Sequence, residues 1–169
     1  MKGCLFLLFT PMLIAAEPAT ITEANARTFY RAFPRLTKEP QHVAPHTAVL
    51  CRPPGADQQA AEKKATGPHY QAYVHIYASP AAATALSQSA KEFPEGAILV
   101  KEKLGLEGVT EVAGMIKRAK GFDPANGDWE YFFHDEAGKL TLGKMANCAD
   151  CHNGARGDHM FTARQFAGK

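Results

Sequence analysis

A chain of 169 residues carrying 19 basic and 17 acidic side chains has a formal charge of +2, too balanced to make nucleic acid or an anionic membrane its main partner. Hydrophobic residues supply 46% of it, enough for one domain with a real core, and no internal repeat or low-complexity stretch breaks it up.

Lys2, the apolar run from Leu5 to Ile14 and the pair Ala15-Ala16 give the charged start, greasy centre and small-residue exit of a secretory signal. The run is too short to span a bilayer, and Cys4 precedes it, which argues against a lipoprotein anchor. With residues 1–16 read as a signal peptide, 153 remain (169 less 16), 18 of them basic against 17 acidic. The mature chain is expected to be exported without a membrane anchor, soluble and, in a bacterium, periplasmic.

Residues 17–67 read as a helical and irregular N-terminal segment packed on the domain that follows, residues 68–169. Thr22 can cap a helix to Phe33 that turns Tyr30 and Phe33 toward a core before Pro34 stops it. Pro40, Pro45, Pro53 and Pro54 then punctuate an irregular stretch holding His42 and His46, both read as loop histidines. Cys51 ends an extended segment and is read as a buried small apolar group. Asp57 to Ala65 reads as a short polar helix closed by Gly67-Pro68.

Tyr70 to Tyr77 is a strand by its aromatic and β-branched content, with Val74 and Ile76 on one face and Tyr73, His75 and Tyr77 on the other. Ser79 caps and Pro80 opens a helix to about Ala90. After the turn Phe93-Pro94-Glu95-Gly96, Ala97 to Leu104 is a strand with Ile98 and Val100 on one face and Leu99, Lys101 and Lys103 on the other; two lysines on one face ordinarily mean solvent. Val109 to Ala119 fits a helical period and a strand about equally. The turn-rich Gly121 to Gly127 leads into a strand over Trp129 to His134, and Asp135 to Gly138 turns the chain into another over Lys139 to Leu142. Short successive connections favour an antiparallel meander. The fold expected is therefore α+β: an antiparallel sheet with flanking helices.

Directly after the last strand comes Cys148-Ala149-Asp150-Cys151-His152. Two thiols three residues apart can each add across one vinyl group of a haem while the adjacent imidazole reaches the iron, so the motif reads as a covalent haem c attachment site. An export signal suits it, because this attachment is made in oxidising compartments. A structural disulfide, a thioredoxin-like pair and a zinc site completed by His159 are the alternatives. A redox pair has no use for the trailing histidine, and a zinc site wants a second ligand pair.

Only 17 residues follow His152, and their one methionine, Met160, sits on a short tether for a wrap to the opposite face of a haem. Met115, Met145, His75 and His134 are the other conceivable sixth ligands, each more commonly a core or surface residue. An open sixth position is expected, and an iron with a vacancy binds small ligands or does chemistry on them.

Phe93 to Glu102, Gly127 to Tyr131, Cys148 to His152 and Asp158 to Thr162, in that order, resemble the cytochrome P-460 family and its relatives, the β-sheet cytochromes c′; the N-terminal third matches loosely. The resemblance implies one five-coordinate haem c with His152 as iron ligand and usually a homodimer. In the hydroxylamine-oxidising members a lysine is bonded to the porphyrin edge, and along the Phe-Pro-Glu-Gly strand that lysine corresponds to Lys101. Those enzymes also use a distal carboxylate as proton relay; counting back from Trp129 reaches Val112-Ala113, with Glu111 beside them. The c′ relatives lack the cross-link, line the site with aromatic side chains and bind nitric oxide or carbon monoxide. Tyr73, Tyr77, Phe132 and Phe133 are the aromatics available here. Either way the expectation is an exported cytochrome that binds or redox-processes small nitrogen species and exchanges electrons with a soluble partner, plain electron transfer being the further alternative.

Overall fold

A computed structural model describes residues 20–42, 57, 60, 61, 64, 73–105, 108–155 and 157–160. The proposed signal, His46, Cys51 and the first residues of the strand expected from Tyr70 lie outside these; Asp57, Ala60, Ala61 and Lys64 are helical, within the polar helix expected there.

Alternating apolar positions and tight turns give a six-stranded antiparallel sheet in which each strand neighbours the next in sequence. The strands are β1 (Gln41–His42), β2 (Tyr73–Ala78), β3 (Ile98–Gly105), β4 (Gly108–Lys117), β5 (Trp129–His134) and β6 (Leu140–Gly143). Helix α1 (Pro80–Ser87) joins β2 to β3, and helix α2 (Ala146–His152) follows β6. The expected meander and α+β class are what is seen. Ser79 makes the first corner: its hydroxyl accepts from the Ala82 N–H at 3.4 Å and from the Ile98 N–H at 3.0 Å, tying the helix start to the head of β3.

The ambiguous stretch over residues 109–119 is a strand as far as Lys117, central in the sheet, with β3 on one side and β5 on the other. Its apolar residues lack strict alternation because the sheet is covered on both faces. Register carries the row Ile76, Lys101, Ala113 and Phe133 across one face, and the row Tyr77, Val100, Gly114 and Phe132 across the other. The strand faces read from sequence for β2 and β3 hold.

The second of these faces is covered by residues 21–33. Tyr30, fully buried, packs with Tyr77, Val100 and Phe132. The helix expected from Thr22 to Phe33 is instead a run of linked turns. Polar side chains capture its backbone groups: the Thr22 N–H donates to Asn25 Oδ1, Asn25 Nδ2 to the Thr20 carbonyl and the Thr28 hydroxyl to the Asn25 carbonyl. Arg27 anchors the segment, donating to His134 Nδ1 at 3.2 Å and to the carbonyls of Thr110 and Asp135 at 3.0 Å each.

The first face packs against α1, α2 and Met160 in a cluster that includes Leu86, Leu99, Met115, Trp129 and Tyr131. The molecule thus has three layers, with the sheet in the middle. Among the described residues, no helix is long and apolar enough to cross a membrane.

Candidate functional site

Helix α2 turns a sequence spacing into a direction. Residues four apart share a helix face, so Cys148 and His152 look the same way, toward the sheet, while Cys151, three residues on from Cys148, sits round the side. His152 and Cys148 line a cavity, and Cys151 is exposed; both thiols are unbonded. Burial pushes the Cys148 thiol up, with the neighbouring Cys151 adding to it and Lys101 opposing it.

His152 is oriented by the backbone. Its Nδ1 lies 2.7 Å from the carbonyl oxygen of His159, and because a carbonyl only accepts, Nδ1 carries the proton and the lone pair is on Nε2. Burial holds the imidazole below the usual histidine range, against the effect of that hydrogen bond, so the neutral form is favoured. The Tyr131 ring flanks the imidazole, with centroids 5.4 Å apart.

The carbonyl is delivered by an unusual backbone. Gly157, Asp158 and His159 all have left-handed φ, at 81°, 47° and 62°. For the two non-glycine residues this costs of order 1–3 kcal/mol each and persists only where the surroundings impose it. They do: Asp158 accepts from Lys117 Nζ at 2.8 Å and from the Phe93 N–H at 2.7 Å, and its carbonyl accepts from Trp129 Nε1 at 2.9 Å. Gly127 makes room for the His159 ring, since a Cβ there would come within 2.3 Å of it.

The cavity, about 230 Å³, lies between α2 and the sheet. Its walls are mostly apolar: Ile76, Leu99, Met115 and Phe133 from the strands, and Met145 and Met160 from the segments around α2. Two polar side chains from the sheet border it. Lys101, partly exposed onto the cavity, makes no hydrogen bond or ion pair among the described residues, and burial pushes its amine below the usual lysine range, partly offset by the two thiols. Tyr131, 2% exposed, has a buried hydroxyl without a hydrogen-bond partner among the described residues.

These positions settle several expectations. Lys101 and Lys103 share a face but not an environment: Lys103 pairs with Glu111 at 2.6 Å, whereas Lys101 borders the cavity instead of bulk solvent. Glu111 lies on the cavity side of β4 yet is held by that ion pair, Val112 is on the other face, and none of the described residues lining the cavity is acidic. Of the sixth-ligand candidates, His75 and His134 lie on the opposite face, where His75 bonds Thr37 and His134 bonds Arg27. Met115, Met145 and Met160 all line the cavity. Of the aromatics, Phe133 lines it and Phe132 borders it while its ring packs over Gly114 on the far side; Tyr77 belongs to the far cluster and Tyr73 is 54% exposed. No three His, Cys, Asp or Glu side chains converge on a metal site among the described residues, and His159 contributes its carbonyl to the site. Sequence reasoning places Tyr131 and Asp158 to Met160 among the motif residues but assigns no role to the Tyr131 hydroxyl or to the His159 carbonyl; the helical spacing of His152 from Cys148 is a pointer to the orientation.

An antiparallel sheet with an apolar cavity, a tautomer-fixed imidazole and two thiols on its closing helix defines a haem-binding class of domain. A family model for cytochrome P460 matches residues 56–162, and the chain belongs to that family. No curated protein matches it. Membership makes the protein a haem cytochrome. The residues fit the group: a mostly apolar slot suits a macrocycle, Nε2 of a neutral histidine suits an iron, and the orphaned Tyr131 hydroxyl is a donor that a polar edge of the group can satisfy.

Proposed function

We propose that the protein is an exported, periplasmic mono-haem c-type cytochrome that binds or redox-processes small nitrogen species, nitric oxide and hydroxylamine among them, with carbon monoxide as a further ligand. Cys148 and Cys151 form the thioether links, and His152 is the one protein ligand to iron. When bound, the haem supplies an iron with a ligand-accepting sixth position. The chain does the rest: Leu99, Met115 and Phe133 exclude water, the His159 carbonyl orients the imidazole, and Cys151 marks the solvent-facing side, where a soluble electron partner approaches. A homodimer belongs to this reading as the resemblance implies it.

The observation that carries it is the lining of the cavity, which among the described residues is apolar apart from a few groups and without a carboxylate. Oxidising hydroxylamine removes protons as well as electrons, and no described residue of the lining offers a carboxylate to take them. Binding or simple electron exchange needs no such group. A second reading, the hydroxylamine-oxidising enzyme with Lys101 bonded to the porphyrin, is favoured by a different fact: the Lys101 amine borders the cavity without a partner among the described residues, and burial lowers it from the usual lysine range, which brings the neutral, nucleophilic form within easier reach.

Intact mass and optical spectra of periplasmically expressed protein, before and after trypsin, test both. The expected result is one haem per chain that resists acidified organic solvent, an ordinary ferrous haem c Soret band, and a Lys101 peptide that separates from the haem. Cys148→Ser and Cys151→Ser each leave a single thioether link. A strongly red-shifted Soret band with the Lys101 peptide travelling with the haem selects the second reading, and an extractable pigment sinks both.

A further inference from the structure

We infer that Asp158, ion-paired to Lys117, is the positioning residue that sets the donor strength of the His152 imidazole, by holding the strap 157–160 in the left-handed course that points the His159 carbonyl at Nδ1. The inference rests on the reading of His152 as iron ligand and says what controls that ligand.

The hydrogen bond to His152 is short, and its acceptor is a main-chain oxygen whose direction depends wholly on local φ and ψ. Two consecutive non-glycine residues with positive φ do not stay so unaided. Beyond the Met160 N–H to Gly157 carbonyl bond within the strap and the His152 bond itself, the polar ties from the strap to neighbouring elements converge on Asp158: both carboxylate oxygens on Lys117 Nζ at 2.8 Å, one also on the Phe93 N–H at 2.7 Å, and the carbonyl on Trp129 Nε1 at 2.9 Å. Asp158 and Lys117 side chains are 5% and 12% exposed, so the pair is shielded from the solvent screening that makes surface ion pairs weak. Lys117 ends β4 and also sits 5.1 Å from the Trp129 ring centroid, so the sheet itself supplies the anchor. Donation from Nδ1 leaves partial negative charge on the ring and makes Nε2 a better donor to a ferric iron. Freeing the strap weakens that donation.

The test uses the holo protein and compares Asp158→Asn, Lys117→Met and Lys117→Arg with the parent, and Tyr30→Phe as a control on the opposite face of the sheet. The readouts are haem per chain, the ferrous iron–histidine stretch by resonance Raman, and the midpoint potential. Asp158→Asn and Lys117→Met are expected to lower the stretching frequency and raise the potential at unchanged haem content, and Lys117→Arg to return both toward the parent. If Asp158→Asn does not fold, Lys117→Met decides. Stretch and potential equal to the parent's in the variants that break the pair overturn the inference, as does an equal shift in Tyr30→Phe, which would mean the readouts follow general stability. A parent protein with no iron–histidine band is a separate result: it removes the coordination reading on which the inference stands.

Discussion

Glu102 is a buried carboxylate on the face away from the cavity. Almost wholly buried, it accepts from the Tyr30 hydroxyl at 2.6 Å and the Tyr77 hydroxyl at 2.8 Å, and Arg31 lies 3.1 Å away. The two phenols are pushed up from the usual tyrosine range, first by burial and then by this carboxylate, so both remain protonated donors. Arg31 is half exposed, and its ion pair adds little. Replacing Glu102 with glutamine turns one acceptor into a donor facing a donor. Glu102→Gln is expected to cost about 1–3 kcal/mol, read from the urea midpoint at unchanged m-value. The sequence placed Glu102 in a strand next to Lys101 and gave no hint of the phenols, because the partners come from positions 72 and 25 residues away.

At the level of elements, β4 is held open by a missing side chain. Gly114 pairs with Val100 on one side and Phe132 on the other, and a Cβ there would meet the Leu99 carbonyl at 2.3 Å and the Phe132 ring at 2.4 Å. Neither neighbour is a free end that can swing aside. Gly114→Ala is expected to destabilise by about 1–3 kcal/mol despite the better strand-forming residue, measured by thermal or urea unfolding. The same crowding explains why this element was ambiguous from its sequence: a central strand buried on both faces shows no alternation, and Gly114 reads as a breaker. The flanking strands were legible because each has a distinct apolar face and a turn-rich boundary. The segment 22–33 looked helical by composition, yet its Thr and Asn side chains satisfy the backbone locally. For the site, cysteine and histidine chemistry is written in residue types, whereas the acceptor for His152 is a peptide oxygen, which no residue type announces.

The whole molecule separates two tasks across one sheet. The N-terminal layer, built round Tyr30, Phe29 and Phe33, supplies stability on one side, and the cavity with α2 occupies the other. Tyr30 is fully buried, with its ring 5.1 Å from that of Tyr77, and nothing of it reaches the cavity. Tyr30→Ala is therefore expected to lower unfolding free energy by about 3–5 kcal/mol while the folded fraction keeps the parent's optical spectrum. A shifted Soret band in the folded protein would mean that the two faces communicate.

The oxygen that accepts the hydrogen bond from His152 Nδ1 belongs to the main chain, and this shapes what mutation can do. No exchange of side chain at position 159 can delete that atom; at most it changes how comfortably the peptide sits at a φ of 62°. What a lineage can alter is the count of residues between Asn153 and that peptide, or the tethers that fix its angle. Insertions and deletions in this short connection, more than point changes, are the means by which descendants of this chain could re-aim the imidazole.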